Sequence, residues 1–247
     1  MRQFGLIGYP LSHSFSQKFF TEKFLKENIV NAQYANFPIA SIESFTNLWK
    51  EHPNLEGLNV TIPYKKEVIA FLQHSSPVVE SIKACNCIRK FNNELYGYNT
   101  DVIGFEKSLL PFLQSHHTHA LILGTGGASA AVQWVLQKLN IQFQVVSRKG
   151  NSLEANLSYE QLTKSIIETH TLIINTSPLG MFPNVNEAPP IAYEGITAQH
   201  HLYDLVYNPT ETLFMKNGLA KGATVQNGLA MLHIQAEESW AIWNAKM

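Results

Sequence analysis

Short apolar runs alternate along the chain with stretches whose apolar residues recur at helical spacing, the pattern of an α/β protein built on largely parallel sheets. FGLIG (4–8), QYANFPI (33–39) and GLNVTI (57–62) predict strands, separated by helices over SFSQKFFTEKFLKEN and SIESFTNLWKEH. Phe15, Phe19, Phe20 and Phe24 share one face of the first helix, a stripe that belongs in a core. A further helix is expected to open near Tyr64. CNCIRKF and ELYGYN flank Asn92 and Asn93, which predicts a hairpin. VIGFEKSLLPFLQ predicts a connecting helix interrupted at Pro111, and HHTH (116–119) a polar linker.

Beyond that linker the pattern becomes a regular repeat of strand and helix. HALILG, FQVVS, TLIINT, HLYDLVY and ATVQN predict the strands, with helices through Leu139 and around LSYEQLTKSII. The last stretch, LAMLHIQAEESWAIW, is amphipathic and is expected to return to the first half. Two domains follow from this change of rhythm: residues 1–101 joined by 228–247, and residues 102–227.

Composition narrows the function more by exclusion. Eighteen basic against nineteen acidic residues give a net charge of -1, with no run of either sign to favour nucleic acid or an anionic membrane. A small-molecule partner is expected. Cys85 and Cys87 stand too close in a strand for an ordinary disulfide and are too few for a zinc site, so they read as reduced thiols. His117 and His119 lack a nearby third ligand and read as a solvated loop, with no metal expected. With no signal-peptide pattern and no apolar run of membrane-spanning length, a soluble cytoplasmic protein is expected, monomeric or homodimeric.

The chemistry-bearing stretch with the clearest context is HALILGTGGASAAV. Gly124, Gly126 and Gly127 lie between a strand and a helix, where backbone N–H groups can approach a pyrophosphate at the helix N-terminus. Ser129 stands where this fingerprint usually has glycine or alanine, and a tight structural turn is the plainer alternative. About twenty residues on, where an acidic residue would hold a ribose 2′-hydroxyl, the chain has Ser147, Arg148 and Lys149. Cations there suit a 2′-phosphate, so NADP is favoured over NAD. In LNVTIPYKKEV, both Lys65 and Lys66 suit a solvated face on composition alone.

With these elements placed, the whole chain resembles the shikimate dehydrogenase family. GYPLSHSFS (8–16), NVTIPYK (59–65), GYNTDVIGF (97–105), GTGGAS, NTSPLGM (175–181), DLVYNPTET (204–212) and GLAMLHIQAEESW (228–240) are similar to its motifs, in order. The resemblance implies an N-terminal α/β substrate domain and a Rossmann-like, doubly wound NADP-binding domain. It implies reversible, NADPH-dependent reduction of 3-dehydroshikimate to shikimate in aromatic amino-acid biosynthesis. Lys65 and Asp101 match the catalytic pair; Ser14, Ser16, Asn59, Thr61, Asn86, Tyr207 and Gln235 match substrate contacts. Gly124, Thr125, Gly126, Gly127, Ala128, Ser147, Arg148, Lys149, Thr176, Leu205 and Gly228 match cofactor positions. Gln17, Cys87, Ser147 and Lys149 depart from the family pattern. A broader quinate dehydrogenase and a non-catalytic NADP sensor would share most of these motifs, although retention of Lys65 with Asp101 speaks against the sensor.

Overall fold

A computed structural model describes residues 1–11, 15–150 and 156–246. They form two compact units, one of residues Met1–Ile103 with His233–Met247 and the other of Gly104–Leu232. In the first, β1 (Arg2–Gly8), α1 (Phe15–Lys26), β2 (Ala32–Pro38), α2 (Phe45–Glu51), β3 (Leu55–Val60), β4 (His74–Ser75), α3 (Pro77–Ile82), β5 (Cys87–Phe91) and β6 (Glu94–Tyr98) follow in chain order. Its sheet runs β2-β1-β3-β5-β6-β4, with β2, β1 and β3 parallel and β5 antiparallel to both its neighbours. The β5–β6 hairpin turns through Asn92 (φ 50) and Asn93 (φ 63), two residues able to take the positive φ that such a turn demands.

Of the aromatic stripe of α1, Phe20 and Phe24 are core, and Phe15 and Phe19 are half-buried. Phe20 is fully buried and stacks on Tyr34 at 4.5 Å. The C-terminal helix, Leu229–Asn244, adds Trp243, which stacks on Phe4 at 4.8 Å and donates to the Ile88 carbonyl at 3.0 Å. Gly57 makes room for it, since a Cβ there would stand 2.4 Å from the Trp243 indole nitrogen. The chain after Tyr64 departs from the helical expectation. It forms turns and then a 3-10 segment, Glu67–Phe71.

The remaining elements are α4 (Thr100–Leu109), β7 (His119–Leu123), α5 (Gly127–Lys138), β8 (Gln142–Ser147), β9 (Leu157–Ser158), α6 (Lys164–Thr169), β10 (Leu172–Asn175), β11 (His201–Asp204), α7 (Leu213–Leu219), β12 (Thr224–Asn227) and α8 (Leu229–Asn244). The second sheet is parallel throughout, in the order β12-β11-β10-β7-β8-β9. Its winding reverses between β7 and β10, the arrangement of a doubly wound nucleotide-binding sheet. Strands such as LIIN of β10 are buried along their whole length, as helices on both faces require. Two local expectations change. The start of LSYEQLTKSII is the short strand β9 and a 3-10 turn, with helix only from Lys164. His117 is buried instead of solvated, because its Nδ1 accepts from the Gln114 N–H at 3.1 Å.

Two buried groups in this unit make opposite contributions to pH dependence. His201 is fully buried, with its Nδ1 2.8 Å from Thr224 Oγ1, and burial lowers its pKa to about 4. The unfolded chain binds the proton first, so stability is lost as pH falls from 6.5 towards 4, by about 2 kcal/mol between pH 7 and pH 5. Asp204 is raised to about 6 by burial, so its contribution is full below 3.8 and lost as pH rises through 6. His201→Gln is expected to remove the first component and flatten the acid limb. Denaturant melts at pH 7 and pH 5 measure it, and an unchanged difference between the two would exclude His201 as the source.

Candidate active site

The motif NVTIPYK leaves β3 between two partners: Asn59 pairs with Leu6 of β1 and with Cys87 of β5. Pairing with β5 ends there and pairing with β1 at Val60, and a tight turn begins with Thr61 N–H donating to the Ile7 carbonyl and Tyr64 N–H to that of Thr61. Tyr64 anchors the turn, its buried hydroxyl donating to the Ile39 carbonyl at 2.6 Å. The Lys65 carbonyl accepts from Cys85 N–H at 2.7 Å, so the backbone beneath this side chain is held from both sides. From that base Lys65 Nζ reaches Asp101 Oδ2 at 2.6 Å, the two side chains 21% and 12% exposed. Lys66 is exposed.

Asp101 lies in the first turn of α4, and that turn is fixed by Asn86. The Asn86 side-chain oxygen accepts from Thr100 N–H at 2.7 Å, while its amide donates to Thr100 Oγ1 at 3.1 Å. Thr100 Oγ1 donates in turn to Gln235 Oε1 at 3.3 Å. Asn59 is held by Tyr34, whose hydroxyl donates to Asn59 Oδ1 at 2.9 Å, and itself donates to Ser239 Oγ at 2.9 Å. Burial pushes the Tyr34 hydroxyl well above its usual range, offset in part by a hydrogen bond with Ser16. Asn86, Asn59, Gln235 and Ser16 therefore meet in one polar network through Tyr34, Thr100 and Ser239, the Lys65–Asp101 pair stands beside it in sequence at Thr100, and Thr61 is half-buried at the turn.

Tyr34, Thr100 and Ser239 are the members that the motifs did not single out. Thr100 was visible beside Asp101, and Ser239 lies one helical turn beyond Gln235. Ser14 lies outside the described residues, and Tyr207 belongs to the other unit, 37% exposed. Thr100→Val leaves the Asn86 amide short of an acceptor in a buried site. The expected cost is about 1–3 kcal/mol of stability, largely restored in Thr100→Ser, by denaturant melting.

In the second unit the glycine turn follows β7. Gly124 has φ +122, and a Cβ there would come within 2.8 Å of Thr176 Oγ1, so both conformation and space demand glycine. At Gly126 and Gly127 a Cβ would meet no atom of the described residues within 4 Å, so packing among those residues does not account for these two glycines. Gly126 is the N-cap of α5 and supplies no capping side chain, which leaves the first helical N–H groups available to an anion. Gly127 opens α5 and Ala128 follows, half-buried.

A crevice of about 330 Å³ lies at this point, lined by Gly124, Thr125, Gly126, Ser147, Arg148, Tyr159 and Thr176 to Leu179. It is at the carboxyl ends of the strands where the winding reverses, the place such sheets bind nucleotides. Thr176 is fixed by donating to the Leu123 carbonyl at 3.0 Å. Leu205 N–H donates to the Asn175 carbonyl at 2.9 Å, and a Cβ on Gly228 would stand 2.1 Å from the Leu205 carbonyl oxygen, so these two positions lie against each other. Lys149 is exposed and is not among the crevice-lining residues. The open glycines, the uncapped helix and Arg148 together fit a dinucleotide carrying a 2′-phosphate.

Residues 6–88 match the family model of the shikimate dehydrogenase substrate binding domain. The chain is 33% identical over 259 residues to the NADP(+) shikimate dehydrogenase of Caldicellulosiruptor bescii, covering 98% of this chain and 89% of that protein. It is similar to a chorismate mutase/shikimate 5-dehydrogenase fusion protein from Clostridium acetobutylicum, at 35% identity and a TM-score of 0.88 over 99% of this chain and 91% of that one. It is also similar to shikimate 5-dehydrogenase from Thermus thermophilus, solved in complex with NADP(H) and shikimate, at 26% identity and a TM-score of 0.86 over 100% of this chain and 95% of that one. On sequence and fold alike, the chain belongs to the shikimate dehydrogenase family.

Proposed function

We infer that the protein is an NADP-dependent shikimate dehydrogenase, reversibly reducing 3-dehydroshikimate to shikimate in aromatic amino-acid biosynthesis. The observation that carries this reading is the 2.6 Å pair of Lys65 with Asp101, set beside neutral hydrogen-bonding side chains that suit a polyol. The unit of Met1–Ile103 with His233–Met247 supplies most of the substrate contacts, and the unit of Gly104–Leu232, which includes Gly228, holds the cofactor. NADPH, when bound, supplies the hydride. The chain's own residues must then align the ring and move one proton to the ketone oxygen as it becomes a hydroxyl.

Lys65 is the group in position to donate that proton. Its ammonium is oriented by the Asp101 carboxylate, which also holds the positive charge near the reacting oxygen. Ser14, Ser16, Asn59, Thr61, Asn86, Tyr207 and Gln235 bind the substrate's hydroxyl and carboxyl groups. The Asn59 side chain is bonded to Tyr34, Ser239 and the Asn86 carbonyl, so it offers the substrate the remaining acceptor capacity of its oxygen while also holding the strand end in place. For the cofactor, the helix start at Gly126–Ala128 takes the pyrophosphate and Arg148 the 2′-phosphate. Thr125, Thr176, Leu205 and Gly228 complete the proposed set. On the sequence reading, the enzyme works in the cytoplasm as a monomer or homodimer. Among the described residues no helix is long and apolar enough to cross a membrane.

The test is a comparison of shikimate and quinate as electron donors with NADP+ at saturating cofactor. Strong preference for shikimate supports the reading; equal use of both would replace it with a broader quinate/shikimate dehydrogenase.

A further inference from the structure

Tyr159 occupies the nucleotide crevice although no motif pointed to it. Strand β9 pairs with β8 so that Ser147 faces Ser158, and the next residues along the two strands are Arg148 and Tyr159. The tyrosine opens a 3-10 turn, Tyr159–Gln161, locked by reciprocal capping in which Ser158 N–H donates to Gln161 Oε1 at 2.7 Å. Its ring packs against the core cluster that includes Leu123, Val146 and Leu162. A ring anchored in this way has little rotamer freedom left to lose on binding, unlike the exposed side chains of Arg148 and Lys149.

A phosphate on the adenosine ribose needs a cation and at least one donor of fixed direction. We propose that Tyr159 is a specificity-determining residue for the cofactor, its hydroxyl recognising the 2′-phosphate together with Arg148, in the role that the sequence assigned to Lys149. Burial pushes the Tyr159 phenol above its usual range, with the Arg148 charge and the Ser177 side chain drawing it part of the way back. At neutral pH it is therefore a protonated donor and does not repel an anion. This inference rests on the reading that NADP is the cofactor.

Calorimetric titration of the full chain with NADP+ and NAD+, without substrate, tests it. Tyr159→Phe keeps the ring and removes one donor; its melting temperature should match the wild type. NADP+ is expected to bind about tenfold more weakly, equivalent to about 1.4 kcal/mol, with NAD+ changed less than about twofold. Lys149→Gln should change NADP+ affinity less than about threefold. Unchanged NADP+ binding in Tyr159→Phe overturns the proposal, as does an equal loss for both cofactors or a larger loss in Lys149→Gln. If the wild type binds neither cofactor, this proposal and the NADP reading fail together. If it binds NADP+ but does not reduce 3-dehydroshikimate, only the catalytic reading fails.

Discussion

Lys65→Ala is expected to lower kcat by about a thousandfold while changing KM for 3-dehydroshikimate only a few-fold. A positioned general acid contributes on the order of 10²–10⁴ in rate, and this lysine is the only cation bonded to Asp101 among the described residues. Its removal also leaves the largely buried Asp101 carboxylate without its partner, so the variant's melting should be recorded alongside its rate. The exposed Lys66 supplies the control. Lys66→Ala should keep kcat within about twofold, because solvent-exposed charges away from such features contribute little. Steady-state kinetics on both variants measure the difference, and near-normal turnover in Lys65→Ala would remove the lysine from the chemistry.

Gly124→Ala is expected to damage both the fold and the site. Its φ of +122 is a conformation that costs an L side chain on the order of 1–3 kcal/mol, and the new methyl would press on Thr176 Oγ1 at 2.8 Å. For a chain of this size the strain corresponds to a drop in Tm of roughly 2–12 °C. NADP+ binding should weaken by at least about tenfold as the turn yields. Gly126→Ala separates the two effects. With no atom of the described residues within 4 Å and φ −71, it should melt close to the wild type yet lose NADP+ affinity, since the methyl enters the space proposed for the ligand. Thermal melts with calorimetry decide. If Gly126→Ala binds NADP+ normally, the cofactor does not approach the backbone at that turn.

Much of this was legible from local pattern. The glycine turn, the strand-and-helix alternation around it and the Asn92–Asn93 hairpin are signals within a few residues of one another. Lys65 and Asp101 became legible through two motifs and a family resemblance, since composition alone made Lys65 and Lys66 equivalent.

What stayed hidden depends on contacts distant in sequence. Tyr64 and Val68 are both buried and spaced for a helix, but Tyr64 is tied to Ile39 and the Lys65 carbonyl to Cys85, which draws the backbone into turns. Thr100 meets Gln235 and Asn59 meets Ser239 across sequence separations of 135 and 180 residues, which no local periodicity records. His117 looked polar in HHTH, yet the Gln114 N–H at one ring nitrogen and the Gln199 carbonyl at the other accommodate it in the interior. Tyr159 became visible only through the pairing of Ser147 with Ser158.

In the proposed mechanism Lys65 and Asp101 serve the reduction of a ring ketone by NADPH. The most direct measurement is absorbance at the NADPH band after mixing the wild-type chain with NADPH and 3-dehydroshikimate, with shikimate quantified at the end point. Equimolar loss of NADPH and appearance of shikimate, slowed by about a thousandfold in Lys65→Ala, is the predicted result. No NADPH oxidation by a folded wild type that binds both compounds would contradict it.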